Sequence, residues 1–132
     1  MVTPVLMSVK ERFADAILGQ SKRYELRRVR PRITPGATVW LYATKPRGAV
    51  VGRFEAGEIL SSSPPELWKA IGPHTGVTRK EFMDYFRGCD MAHAIEVRRP
   101  IRTEPQPLPD AGRAPQSYRF LTGREVAGLA TA

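Results

Sequence analysis

Between Lys22 and Arg32 the chain places six basic residues, Lys22, Arg23, Arg27, Arg28, Arg30 and Arg32, against a single acid, Glu25. This segment's net +5 is most of the whole chain's +8. Guanidinium groups present forked N–H donors that match phosphate oxygens, so the tract has the chemistry of a nucleic-acid backbone contact. The same charges would also suit a solvated edge strand protected against aggregation. Tyr24 and Leu26 alternate with Glu25 and Arg27, so extended backbone here puts Glu25 and Arg27 on one face.

The other carboxylates are reduced by subtraction. Glu11, Glu66, Glu81 and Glu125 follow Ser8, Ser63, Thr78 and Thr122 at the spacing of a helix capping box, which assigns them to helix starts rather than to catalysis. Glu55, Glu58 and Glu96 read as surface-strand residues, and Glu25 is left as the acid without a structural assignment. His74 reads as loop surface, and His93, alternating with Met91 and Ile95, as a buried hydrogen-bonded histidine. With Cys89, the single cysteine, they form no metal-ligand spacing, so no metal and no cofactor are expected. No nucleophile elbow, Walker A loop or dinucleotide fingerprint is present.

Trp40, Tyr42 and Thr44 share one face of an expected strand, and Val39, Leu41 and Ala43 the other. An aromatic face beside a basic strand is what base stacking requires, although a strand buried on both faces would read the same way. Trp68 and the set Phe82, Tyr85 and Phe86 read as core.

These residues must be positioned by a chain of 132 residues, one domain's length, with 42% hydrophobic content, enough for one core. No apolar run approaches the roughly 18 residues of a membrane helix, and no signal peptide is read at the start. A cytoplasmic protein with an anionic partner, most commonly nucleic acid, is the expectation.

Strands are expected over 4–9, 24–29, 37–43, 49–60 and 91–97, separated by turns at Pro31-Pro35-Gly36 and Lys45-Pro46-Arg47-Gly48. Helices are expected after Ser8, ending at Gly19, and after Ser63, Thr78 and Thr122. The gap from Gly72 to Val77 is too long for a helix-turn-helix. Residues 1–101 form the core domain, 102–116 a Pro-rich extended segment, and 117–132 a segment docking back through Tyr118, Phe120 and Leu121 before a short helix. Strands and helices do not alternate regularly, so an α+β fold is expected, a small β-barrel of about five to six strands decorated with three or four short helices.

Lys22-Arg23-Tyr24-Glu25-Leu26-Arg27, preceded by Ile17-Leu18-Gly19, resembles the G-x-K-x-x-E-x-R motif of ASCH domains, members of the PUA-like superfamily. Leu41-Tyr42-Ala43-Thr44-Lys45-Pro46, Ala49-Val50-Val51-Gly52, Tyr85-Phe86-Arg87-Gly88 and Pro115-Gln116-Ser117-Tyr118-Arg119 agree in order and spacing, over most of residues 6–121. Gly19 stands one position earlier than the motif's glycine, and Gln20 occupies the motif position. The resemblance implies a PUA-like barrel with a cleft between barrel and helices, and RNA as partner in preference to DNA. It implies that Lys22, Glu25 and Arg27 line the cleft with Tyr42, Thr44 and Lys45. Arg23, Arg28, Arg30 and Arg47 complete the expected nucleic-acid-binding set.

The expected function is nucleic-acid binding, with a base or nucleotide in the cleft and a possible regulatory role for the protein. The alternative is hydrolysis of RNA or of a modified nucleoside, with Lys22 and Glu25 as catalytic residues. One type of relative resembles an amidohydrolase acting on N-acetylated cytidine, through the motif lysine, a threonine three residues later and a downstream glutamate. Here Lys22 matches, Glu25 stands at the threonine position, and the downstream stretch reads His74-Thr75-Gly76.

Overall fold

A computed structural model describes residues 2–109 and 112–129. The described residues form six strands and four α-helices: β1 (Val5–Val9), α1 (Glu11–Leu18), β2 (Tyr24–Arg27), β3 (Thr38–Ala43), β4 (Ala49–Ser62), α2 (Pro64–Ile71), α3 (Arg79–Tyr85), β5 (Ala92–Gln106), β6 (Tyr118–Phe120) and α4 (Gly123–Ala127). One turn of 3-10 helix, Gly72–His74, follows α2. The strands make one sheet in the order β2-β5-β4-β3-β1-β6, curled into a half-barrel. β1 pairs parallel with β3, and every other pairing is antiparallel. The α+β class and small open barrel are therefore as expected.

Alternation along the strands builds the core. Val5, Met7 and Val9 of β1 join Val39 and Leu41 of β3, Phe54 of β4 and Ile17 of α1 in the first cluster. Leu6, Trp40 and Tyr42 point the other way, into a cluster completed by Leu121 and Leu129 from the C-terminal segment. A third cluster packs Leu67 and Ile71 of α2 and Phe82 and Phe86, at the end of α3, against Leu26 and Ala94. Burying each large apolar side chain contributes about 1.5–3 kcal/mol, so these layers fix where the helices sit.

Two local expectations are corrected. Ser8 does not cap α1. It lies within β1, its hydroxyl donates to the Pro115 carbonyl at 2.6 Å, and Lys10 occupies the N-cap without a side-chain bond. Demand from the sheet outcompeted the capping pattern, and Glu11 instead pairs with Arg47 at 3.2 Å. The last long strand runs to Gln106, well past Val97, because Arg102 and Gln106 still find partners on β4, so part of the Pro-rich segment is sheet. Gly19 is the C-cap of α1, where the sequence places it, with φ −83°, and the left-handed turn falls on the next residue, Gln20, φ 69°. The capping boxes at Thr78 and Thr122 are fully formed, and Ser63 accepts from the Glu66 amide. The C-terminal segment pairs with β1 through β6, and residues 130–132 lie outside the described range.

Candidate nucleotide cleft

The end of β1, the start of α1, β2 and the inner face of α3 enclose a cleft of about 540 Å³. Its floor carries Lys22, Glu25 and Arg27, and its walls carry Val9, Phe13, Leu26, Val77, Phe82 and Tyr85. This is the size and composition of a small-ligand site, a mostly apolar recess with a few convergent polar groups.

Lys22 is placed by the turn after α1, where its amide donates to the Ala16 carbonyl at 3.0 Å. Its side chain is 1% exposed. The ammonium donates to the Thr75 carbonyl at 2.6 Å, sits 4.8 Å from the centre of the Phe13 ring and lies 3.8 Å from Glu25 Oε1. The last distance is an ion pair rather than a hydrogen bond. Burial pushes the lysine pKa below its ordinary value, with Arg12 and Arg27 adding to that shift and Glu25 opposing it. Gly76 makes the close packing possible: its φ is 73°, and a Cβ there would stand 3.0 Å from Lys22 Cβ. The loop holding Thr75 and Gly76 is thus a cradle for the lysine stem.

Glu25 and Arg27 share a face of β2, as the alternation requires. Arg27 Nη2 donates to Glu25 Oε2 at 2.9 Å and to the Ser8 carbonyl at 3.3 Å, while Nη1 donates to Ser117 Oγ at 3.0 Å. Ser117 belongs to the C-terminal segment, so the docked tail helps orient the guanidinium. Among the described residues, buried Arg27 Nε finds no acceptor. The floor therefore holds two cations against one carboxylate, with one donor left over.

At the mouth stand Lys10, Arg12, Glu81 and Asp84. Glu81 closes the α3 capping box with one oxygen and accepts from Arg12 at 2.7 Å with the other. The Thr78 amide and then Arg12 hold its carboxyl down at about 2. Tyr85 is 42% exposed and lines the cleft, its hydroxyl donating to the Leu26 carbonyl at 3.3 Å. Burial raises its pKa. Tyr85 is thus the exposed aromatic of the cleft, while the Phe13 ring carries Arg12 at 4.5 Å and Lys22 at 4.8 Å from its centre.

The expected site residues thus separate. Lys22, Glu25 and Arg27 come together in the cleft. Arg28 and Arg30 follow on the same stretch but face outward, Arg28 donating to Cys89 Sγ at 3.2 Å and the Arg87 carbonyl at 3.0 Å, Arg30 to Ser61 Oγ at 2.6 Å. Arg23 is exposed beyond the cleft and lines a different groove. Tyr42 is buried, 7% exposed, beneath the C-terminal segment, so the Trp40/Tyr42 face is core and not a stacking platform. The two faces of that strand are as read; what covers the aromatic one lies some 80 residues later in the chain. Thr44 is tied by its amide to the Val9 carbonyl at 2.9 Å, and Lys45 and Arg47 are exposed on the following turn. None of Tyr42, Thr44, Lys45 and Arg47 lines the cleft.

Sequence reasoning missed Phe13, Thr75, Glu81 and Tyr85. Glu81 was set aside because capping explains it, yet a carboxylate has a second oxygen free for Arg12. Tyr85 shares helical spacing with Phe82 and Phe86, and only the turn of α3 toward the cleft exposes it. Thr75 acts through its carbonyl, which carries no residue-type signal. His93 is buried as expected, bonded to Ser61 Oγ at 2.7 Å, and burial followed by Arg30 lowers its pKa.

Similarity to known proteins bears on this geometry. The chain is 32% identical over 99 residues to an ASCH domain-containing ribonuclease of Zymomonas mobilis, covering 74% of this chain and 67% of that protein. The crystal structure of ASCH from Zymomonas mobilis superposes with a TM-score of 0.90 at 28% identity, over 96% of this chain and 92% of that one. The crystal structure of a hypothetical protein shares the fold alone, at 20% identity and a TM-score of 0.55, over 73% of this chain and 97% of that one. No model of a protein family matches the chain.

Proposed function

We propose that this chain, which belongs to the ASCH-domain family, is an RNA-binding protein that takes a single base or nucleotide into the cleft above Lys22, Glu25 and Arg27. One observation carries the reading: a buried ionic floor with a surplus cation and an unpaired donor, Arg27 Nε, lies at the base of an otherwise apolar recess. Buried charges are expensive and persist where they are paired or used. A base stacks on Tyr85, the exposed aromatic of the cleft, since every base has a stacking face. Glu25 accepts from an exocyclic amine or ring N–H, and Arg27 and Lys10 donate to phosphate or sugar oxygens. Outside the cleft Arg28, Arg30, Lys45 and Arg47 contribute sequence-independent attraction to the backbone.

The ribonuclease name of the Zymomonas relative favours a second reading, cleavage of the bound RNA. In that reading the Glu25 carboxylate would accept the proton of the attacking hydroxyl, and the Lys22 ammonium, made a better acid by burial, would give a proton to the leaving oxygen.

The test is binding of a fluorescent single-stranded RNA, with DNA of matched sequence, across a salt series, followed by gel analysis of the recovered RNA. Saturable binding that weakens with salt and favours RNA supports the reading. No binding at low salt overturns it. Intact RNA after long incubation would confine the protein to binding, while cleavage lost in Lys22→Met would assign turnover to the same floor.

A further inference from the structure

Among the described residues only two non-glycine residues have a positive φ, Gln20 at 69° and Arg99 at 49°. They are far apart in sequence, and both line one groove. This groove, of about 470 Å³, lies where the turn after α1 meets the middle of β5. Left-handed backbone is unfavourable for a residue with a side chain, and such conformations collect at functional sites. Gln20 stands at the motif position where relatives' pattern has glycine, the residue that would adopt this turn without cost. Here the turn instead carries an amide side chain on the wall of the groove.

The charged part of the lining is basic apart from Glu96, and Ile17, Val97 and Pro100 make its apolar remainder. Arg23 is exposed, and its guanidinium has no partner among the described residues. Arg98 gives Nη2 to Glu96 at 2.8 Å and Arg99 gives Nη1 to Glu55 at 2.7 Å, which leaves each guanidinium further N–H donors. Glu96 also lines the groove; the Glu58 amide at 3.2 Å and Arg98 at 2.8 Å both donate to its Oε1, so Arg98 offsets this carboxylate's charge. Three arginines and an amide thus line a mostly polar groove and bring N–H donors suited to the oxygens of a phosphate. Lys22 lines both this groove and the cleft, so the two spaces lie on either side of one residue.

We infer that Gln20, Arg23, Arg98 and Arg99 form a second binding site, for a phosphate group of a single-stranded RNA backbone. The site takes its ligand identity from the RNA reading above, but its residues are separate from the cleft floor apart from Lys22. Gln20 supplies an amide hydrogen bond to a phosphate or 2′-hydroxyl oxygen, Arg23 the free charge, and Arg98 and Arg99 the flanking donors.

The test is a titration of the full 15N-labelled chain, followed amide by amide, with inorganic phosphate and separately with a short oligouridylate. Saturable shifts at Gln20, Arg23, Arg98 and Arg99 with the oligonucleotide are expected, along with weaker shifts at the same amides with phosphate. Arg23→Ala should weaken oligonucleotide binding about tenfold at low salt, the size of one charged hydrogen-bonded contact. It should also lower the salt slope by about 0.7. Gln20→Gly should bind more weakly while melting at the same or a higher temperature, because the strain is gone and the amide with it. Shifts at Glu25, Arg27 and Tyr85 with none in the groove would overturn the second site and leave the cleft reading standing. Groove shifts without cleft shifts would support the second site and sink the cleft. Groove shifts with phosphate and none with the oligonucleotide would overturn the RNA backbone as ligand.

Discussion

One short stretch of chain supplies two regions of opposite character. Its inner half puts Lys22, Glu25 and Arg27 on the floor of a recess, with side chains 1%, 7% and 13% exposed. Its outer half carries Arg28, Arg30 and Arg32 into solvent. By residue type the two halves look alike. Physically they differ, because a guanidinium in water exchanges one set of hydrogen bonds for another, whereas a buried one must be held in a single geometry. The inner half can therefore discriminate between ligands, and the outer half can mainly attract them. Charge count points to the neighbourhood of a site, and burial picks out which charges belong to it.

Removing Glu25 should separate the halves most sharply. Glu25→Ala leaves Lys22 and Arg27 buried without their counter-charge and should cost about 3–5 kcal/mol in urea unfolding. Arg27→Ala comes next, at about 2–3 kcal/mol, since it removes charged hydrogen bonds to Glu25, to Ser117 and to the Ser8 carbonyl. Ser117→Ala should cost about 1 kcal/mol and loosen the tail, measured by faster amide exchange in β6. Arg28→Ala and Arg30→Ala should each stay within about 0.5 kcal/mol of the parent, as exposed substitutions do. Each should lower the salt slope of RNA binding by about 0.7. A cost above 2 kcal/mol for either outer arginine would erase the distinction.

Two pH effects sharpen the comparison further. Lys22 is depressed below 10.5 by burial, so in the window between its folded pKa and 10.5 the unfolded chain binds the proton more tightly. Stability should rise with pH through that window, and Lys22→Met should flatten the rise. Glu81 is depressed from 4.5 to about 2, so its contribution is complete above pH 4.5 and fades as pH falls toward 2. Glu81→Gln should remove that acid-side slope, which equilibrium unfolding across pH would show.

Much of this was legible in the residues. Glu25 stood out as the acid no helix start could claim, and strand alternation put it beside Arg27. The α+β half-barrel followed from strand runs not regularly alternated with helices. What escaped had a common cause. Tyr42 and Tyr85 exchanged roles because accessibility depends on what covers a face, and the covering residues Leu121 and Leu129 are remote in sequence. Thr75 contributes a backbone carbonyl, which every residue has. Ser8 matched a capping pattern but was needed by β1 and the Pro115 carbonyl, a contact across 107 positions that no local pattern encodes. The departure from the motif at Gln20 falls on a left-handed residue, a conformation that glycine adopts without cost.

The central claim is that the buried inner half reads the nucleotide while the outer half only attracts it. The most direct measurement is affinity for four single-stranded homopolymer RNAs at two salt concentrations, comparing the parent with Glu25→Gln and with the Arg28→Ala/Arg30→Ala pair. Glu25→Gln should change the order of base preference, and the arginine pair should weaken all four alike, most at low salt. A base preference unchanged in Glu25→Gln but altered in the arginine pair would contradict the account.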